Sequence, residues 1–171
     1  HMPDYCDTSS IIDFCSNNKI LRKKSIDILN KTIKIAQLIS SLNTKTVNII
    51  VSLAKLNSKD DRFIYYKKIK NLVEKIKKKY NINLFPQWLP AKAWYFGGSM
   101  DTKAFSNPND MSFIKKIKLN LCLDVSHFIL SCNFHHVDKK LFFSNHMSIF
   151  KHYHLSDASG IDGEGVLIGN G

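Results

Sequence analysis

"LNLCLDVSHFIL" (119–130) and "KHYHLSD" (151–157) decide how this chain is read. Each is a short apolar run that ends on polar groups. In the first, Asn120, Cys122 and Asp124 alternate with Leu119, Leu121 and Leu123, the period of a strand. In the second, His152 and His154 share one face, and Tyr153 and Leu155 the other. The leucine face is expected to pack on helices and leave the smaller, more polar face inside. A carboxylate ending one strand and an imidazole ending the next can converge on one cation or one substrate oxygen. Taken singly, each has a plainer reading: Asp124 as a helix cap, His154 as a core histidine bonded to backbone. His152 lies one layer deeper and reads as structural.

Outward from these two strands, the segments alternate. Residues 21–42 carry apolar side chains at Ile26, Leu29, Ile33 and Ala36, a helical stripe. "TVNIIVSL" (46–53) is a β-branched run and reads as a buried strand. Residues 60–80 read as a helix started near Ser58 or Asp60, with Tyr65, Ile69, Leu72, Val73, Ile76 and Tyr80 on its buried face. "INLFP" (82–86) is a strand ended by Pro86. Residues 87–108 read as a long loop with aromatics and glycines, 109–117 as a short helix, 119–130 as a strand running into a loop, and 137–150 as a helix. Strands alternating with helices mean βα units and a parallel sheet. The polar residues Gln87, Asp124 and His154 fall at strand C-terminal ends, where α/β barrels and open sheets place their sites.

With 171 residues and 44% hydrophobic content, the chain is long enough for one globular domain with a core. No apolar run reaches membrane-spanning length, and no secretory leader pattern opens the chain, so the expectation is a cytoplasmic protein with no membrane partner. The four cysteines have no CxxC spacing and read as reduced thiols. The net charge of +11 invites a nucleic-acid reading. Against it, the basic count is nearly all lysine, and Arg22 and Arg62 are the sole arginines. Arginine is the residue suited to phosphate forks and base edges. The charge therefore reads as compositional.

Four further groups could do chemistry. His127 follows Asp124 by three residues. "GIDGEGVLIGNG" (160–171) carries Asp162 and Glu164 on a turn and reads as a flexible phosphate cradle or carboxylate donor. It matches no nucleotide-binding fingerprint. Gln87 can ligate a hard cation through its oxygen but cannot act as a base. "WYFGG" (94–98), with Trp94, could wall a pocket or simply pack as an aromatic loop.

Together these pieces resemble the xylose isomerase-like TIM barrel superfamily, which includes sugar-phosphate isomerases and epimerases and the endonuclease IV-like nucleases. "LDVSH" and "HLSDASGIDGEGVLIGNG" are the most specific parts. The resemblance implies an α/β fold, a partial (β/α)8 barrel with parallel strands, in a single incomplete domain over 1–171. "HMPDY" is similar to the tail of strand three, "NIIVSL" to strand four, "INLFPQ" to strand five, "LCLDVSH" to strand six and "HYHLSDA" to strand seven. Strands one, two and eight are not matched, so the chain reads as a fragment. The resemblance further implies a divalent cation (Mn, Mg, Co or Zn) held by Asp124, His154 and Gln87, and Gln87 stands where the family has Glu. It makes Glu164 and His127 the candidate catalytic pair and His1, Trp94, Asp157 and Asp162 candidate substrate contacts. The activity implied is a metal-dependent isomerase or epimerase of a sugar or sugar phosphate, working through a cation-stabilised enediolate. A homo-oligomer stays open. The alternatives are an apurinic-site nuclease, several of whose ligand positions are changed here, and a catalytically impaired sugar-binding barrel.

Overall fold

Residues 1–43, 45–54 and 61–171 are described by a computed structural model. They fall into two compact units, His1–Phe85 and Pro86–Gly171.

The first unit opens with a small antiparallel hairpin, β1 (Tyr5–Asp7) and β2 (Ser10–Ile11). Helix α1 (Lys19–Asn43) starts at Asn18, whose side-chain oxygen accepts the amides of Ile20 at 2.9 Å and Leu21 at 3.2 Å, satisfying two donors the first turn leaves open. It buries Leu29, Ile33 and Ala36, spaced four and three apart as one helical face requires. Strand β3 (Asn48–Val51) follows, and the Met2 amide donates to the Ile50 carbonyl beside it. Helix α2 (Arg62–Tyr80) is capped by Asp61, which accepts the Phe63 amide at 2.7 Å, and closes at Asn81 in the left-handed region. Ser58 and Asp60, read as its start, lie outside the described residues. Tyr65, Tyr66, Ile69 and Ile76 are its buried face, and Lys77, Lys78 and Lys79 sit in its last turn, where the helix dipole favours cations. β4 (Asn83–Pro86) pairs with β3.

The second unit departs from the sequence reading at three places. Residues 87–108 are not one long loop. β5 (Lys92–Tyr95) and β6 (Gly98–Asp101) form a hairpin closed by Phe96 (φ 55°) and Gly97 (φ 76°). Two positive φ angles in succession give the turn whose twist suits a hairpin, and Phe is a costly residue there. Beyond it, a 3₁₀ turn (Pro108–Asp110) leads into α3 (Met111–Lys116). The second departure follows β7 (Leu121–Asp124), which runs straight into a helix, α4 (Val125–Phe134), rather than a loop. That helix buries Ser126, Phe128, Leu130, Ser131 and Cys132, so it shows no polar–apolar stripe to read. α5 (Lys139–His146) is capped by Asp138 and precedes β8 (Phe150–His154). The third departure is at the chain end: β9 (Asp157–Ser159) and β10 (Gly163–Val166) form a hairpin where a flexible turn was read.

β7 and β8 pair in parallel, with Cys122 opposite His152 and Asp124 opposite His154. Gln87, just past β4, bridges in parallel to Cys122. Every residue of β7 is buried, as befits a strand enclosed on both faces. The four cysteines are free thiols. Burial, helped by the Asp124 charge, pushes Cys122 up to about 12. Among the described residues no helix is long and apolar enough to cross a membrane.

Burial of this strand makes a direct expectation. Leu121 is 0% exposed and Leu38, on α1, is 62% exposed. Leu121→Ala should cost about 2–5 kcal/mol, whereas Leu38→Ala should stay within about 0.5 kcal/mol, read from urea-denaturation midpoints.

Candidate functional site

Three parallel stretches deliver their terminal polar residues to one place. Gln87 comes from the end of β4, Asp124 from the end of β7 and His154 from the end of β8. Asp124 is 8% exposed, and its two carboxylate oxygens are divided between two tasks. Oδ1 accepts the Ser126 hydroxyl at 2.8 Å and the His127 amide at 3.3 Å, which caps α4. Oδ2 accepts the Gln87 side-chain Nε2 at 2.9 Å. Asp124 therefore caps a helix with one oxygen and faces the cluster with the other.

An ionised carboxylate only accepts hydrogen bonds, so the Gln87 atom against it is the NH2. The same NH2 lies 3.3 Å from His154 Nδ1. His154 Nδ1 also lies 3.4 Å from Asp124 Oδ2. His152, one register back, meets His154 edge-on at 5.4 Å between ring centroids. Burial holds the His152 imidazolium below its usual range.

His127 is in a different electrostatic setting. Its Nε2 donates to Glu164 Oε1 at 2.8 Å and its Nδ1 to the Trp88 carbonyl at 3.1 Å. Both partners accept only, so the doubly protonated ring satisfies the geometry. Burial of His127 works against the charge, but the Glu164 hydrogen bond, the Asp124 and Glu164 charges and the Trp88 carbonyl outweigh it, and the net shift is upward from 6.5. Glu164 stands on β10, opposite Ala158 on β9, and its side chain is 52% exposed.

The structure thus brings together Gln87, Asp124, His127, His154 and Glu164. It gives the remaining candidates other surroundings. The Asp157 carboxylate accepts the amides of Gly169 at 2.9 Å and Ala158 at 2.9 Å, and that of Gly171 at 3.3 Å. Those bonds, the Gly169 one first, hold it below the usual carboxylate range. Asp162 is exposed in the β9–β10 turn, and its carbonyl accepts the Glu164 amide at 3.0 Å. Trp94 is 64% exposed on β5, opposite Ser99. His1 belongs to the first unit, where its Nδ1 donates to the Met2 carbonyl at 2.8 Å. Two contributors were invisible in the sequence. The Trp88 carbonyl is backbone and carries no residue signature, and Ser126 supports Asp124 from a segment read as loop.

As a cation site the cluster fits poorly as it stands. Among the described residues no group of three His, Cys, Asp or Glu side chains is disposed to hold a metal ion. Asp124 and His154 offer two donor atoms, and Gln87 turns a hydrogen-bond donor toward both of them. An amide ligates through oxygen, so its plane would have to reverse, and even then the set carries a single negative charge.

No protein-family model and no curated protein sequence matches the chain. A solved structure described as a D-tagatose 3-epimerase-like protein does match, with a TM-score of 0.64 over 94% of this chain at 19% identity. The chain spans 58% of that structure's length. Mixed α/β architecture and parallel strand pairing, without a closed sheet among the described residues, and this likeness give the fold as α/β of the partial-barrel kind.

The His127 pairing gives a signed expectation. Its pKa is raised in the folded chain, so the pair stabilises the fold fully below the unfolded value near 6.5, and that stabilisation is lost as pH rises through the folded value. Glu164→Gln should lower the His127 titration midpoint in an NMR titration and flatten that part of the stability profile. An unmoved midpoint would place the source of the shift elsewhere.

Proposed function

We propose that this chain carries the proton-transfer machinery of a sugar or sugar-phosphate isomerase or epimerase. The observation that carries the reading is the 2.8 Å His127–Glu164 pair beside the Gln87–Asp124–His154 cluster at the ends of parallel strands. Likeness to a structure described as D-tagatose 3-epimerase-like supports the substrate class.

The chemistry asks for one base and one acid. Glu164, half exposed, is the base that takes the proton from the carbon next to a substrate carbonyl. His127, held as imidazolium, is the acid that gives a proton to the carbonyl oxygen. One proton leaves carbon and one reaches oxygen, so a neutral enediol forms with Glu164 protonated and His127 neutral. Return of the Glu164 proton to the neighbouring carbon, while neutral His127 takes the proton of the other enediol hydroxyl, gives the isomer and restores both groups. The Gln87 amide and His154 are placed to hydrogen-bond substrate oxygens.

Gln87 also favours a second reading, a barrel that binds a sugar without turning it over, because no second carboxylate stands at its position. Deuterium incorporation separates the two. Ketoses, aldoses and their phosphates are incubated in D2O with the protein carrying these residues. Deuterium should enter at the carbon adjacent to the carbonyl, and His127→Asn or Glu164→Gln should slow entry by about 10²-fold or more. A sugar that binds but takes up no deuterium would establish the binding reading.

A further inference from the structure

Gln87 Nε2 lies 2.9 Å from Asp124 Oδ2, 3.3 Å from His154 Nδ1 and 3.5 Å from His127 Nδ1. His127 Nδ1 has its own acceptor in the Trp88 carbonyl. A ring of oxygen and nitrogen atoms converging on one electropositive centre is the geometry of a cation site. Here the centre is an amide nitrogen. Gln87 is 4% exposed and Asp124 8%, so water competes weakly for these bonds.

We propose that the Gln87 carboxamide takes the place of a divalent cation in this cluster, joining Asp124 to His154 through its two N–H groups and keeping the site free of metal at physiological concentrations. Three pieces of chemistry support it. The NH2 donates to the buried Asp124 oxygen at 2.9 Å. It also stands 3.3 Å from His154 Nδ1, so it occupies the space between the two would-be ligand atoms. For an ion to enter, both bonds must break and the amide must reverse, and the ion gains one anionic ligand only. A carboxylate at position 87 removes the donor and adds the missing charge, creating a Glu, Asp and His set on the same three strand ends.

The consequence is a site that recognises a polyhydroxy ligand through hydrogen bonds rather than chelation. It concerns the same cluster as the proposed proton transfer and rests on that reading for its ligand class, yet its test reads no turnover, so the two can fail separately.

The test is Mn²⁺ binding, followed by the EPR signal of the free ion, with the wild-type protein, Gln87→Glu, and Gln87→Glu combined with Asp124→Ala. Circular dichroism checks that each is folded. The expected result is binding of one Mn²⁺ by Gln87→Glu, at least about 100-fold tighter than by wild type, with the gain abolished in the double variant. Stoichiometric micromolar binding by wild type that disappears in Asp124→Ala would overturn the proposal. Failure of folded Gln87→Glu to bind better than wild type would overturn it equally, since the amide would then not be what excludes the ion.

Discussion

The second unit turns on the Asp124 carboxylate. One oxygen closes the first turn of α4 through Ser126 and His127, and the other holds the Gln87 amide. A strand end, a helix start and a neighbouring strand end are therefore fastened at one charged group that is nearly buried. Burying a carboxylate costs several kcal/mol unless its lone pairs are filled, and here three donors fill them. The same bonds tie the end of β7 to the start of α4 and to Gln87 and set the spacing of the cluster.

That constraint gives two histidines different surroundings a few ångströms apart. His127 has acceptors at both nitrogens, Glu164 and the Trp88 carbonyl, and these shift it upward toward its charged form against the effect of burial. His154 meets the Gln87 amide nitrogen and an Asp124 oxygen with Nδ1. The 171-residue chain carries a net +11, yet the charges at the cluster itself are those of Asp124, Glu164 and one imidazolium. The lysines in the last turn of α2 serve its dipole instead.

Much of the fold was legible because its signals are local. The helical stripe of α1, the capped lysine-rich α2 and the strand runs at β3, β4, β7 and β8 stand in the sequence within a few residues of where they form. Others, the β1–β2 hairpin among them, were not. The β5–β6 hairpin turns on Phe96 and Gly97, with no Asn-Gly or Asp-Gly to announce it. The β9–β10 hairpin is built from short, glycine-rich strands with little β-forming preference. Helix α4 buries Ser126 and Ser131 alongside its apolar residues, so its period is hidden. At the site, the convergence of Gln87, Asp124 and His154 followed from their positions at strand ends. The direction of the Gln87 amide could not be read, because it depends on which acceptors surround it in space. The link from Glu164 to His127 spans 37 residues and needed the last hairpin to form.

The cluster depends on the Gln87 N–H groups pointing into it, and the chain carries its own reference for testing that. Its two glutamines are Gln37, exposed on α1, and Gln87, which is 4% exposed. Selective ¹⁵N labelling of glutamine and measurement of side-chain NH2 exchange with solvent compares them in one sample. One NH2 pair should exchange far more slowly than the other and lose its protection in Asp124→Ala. Two pairs exchanging alike, at the rate of an exposed amide, would contradict the account.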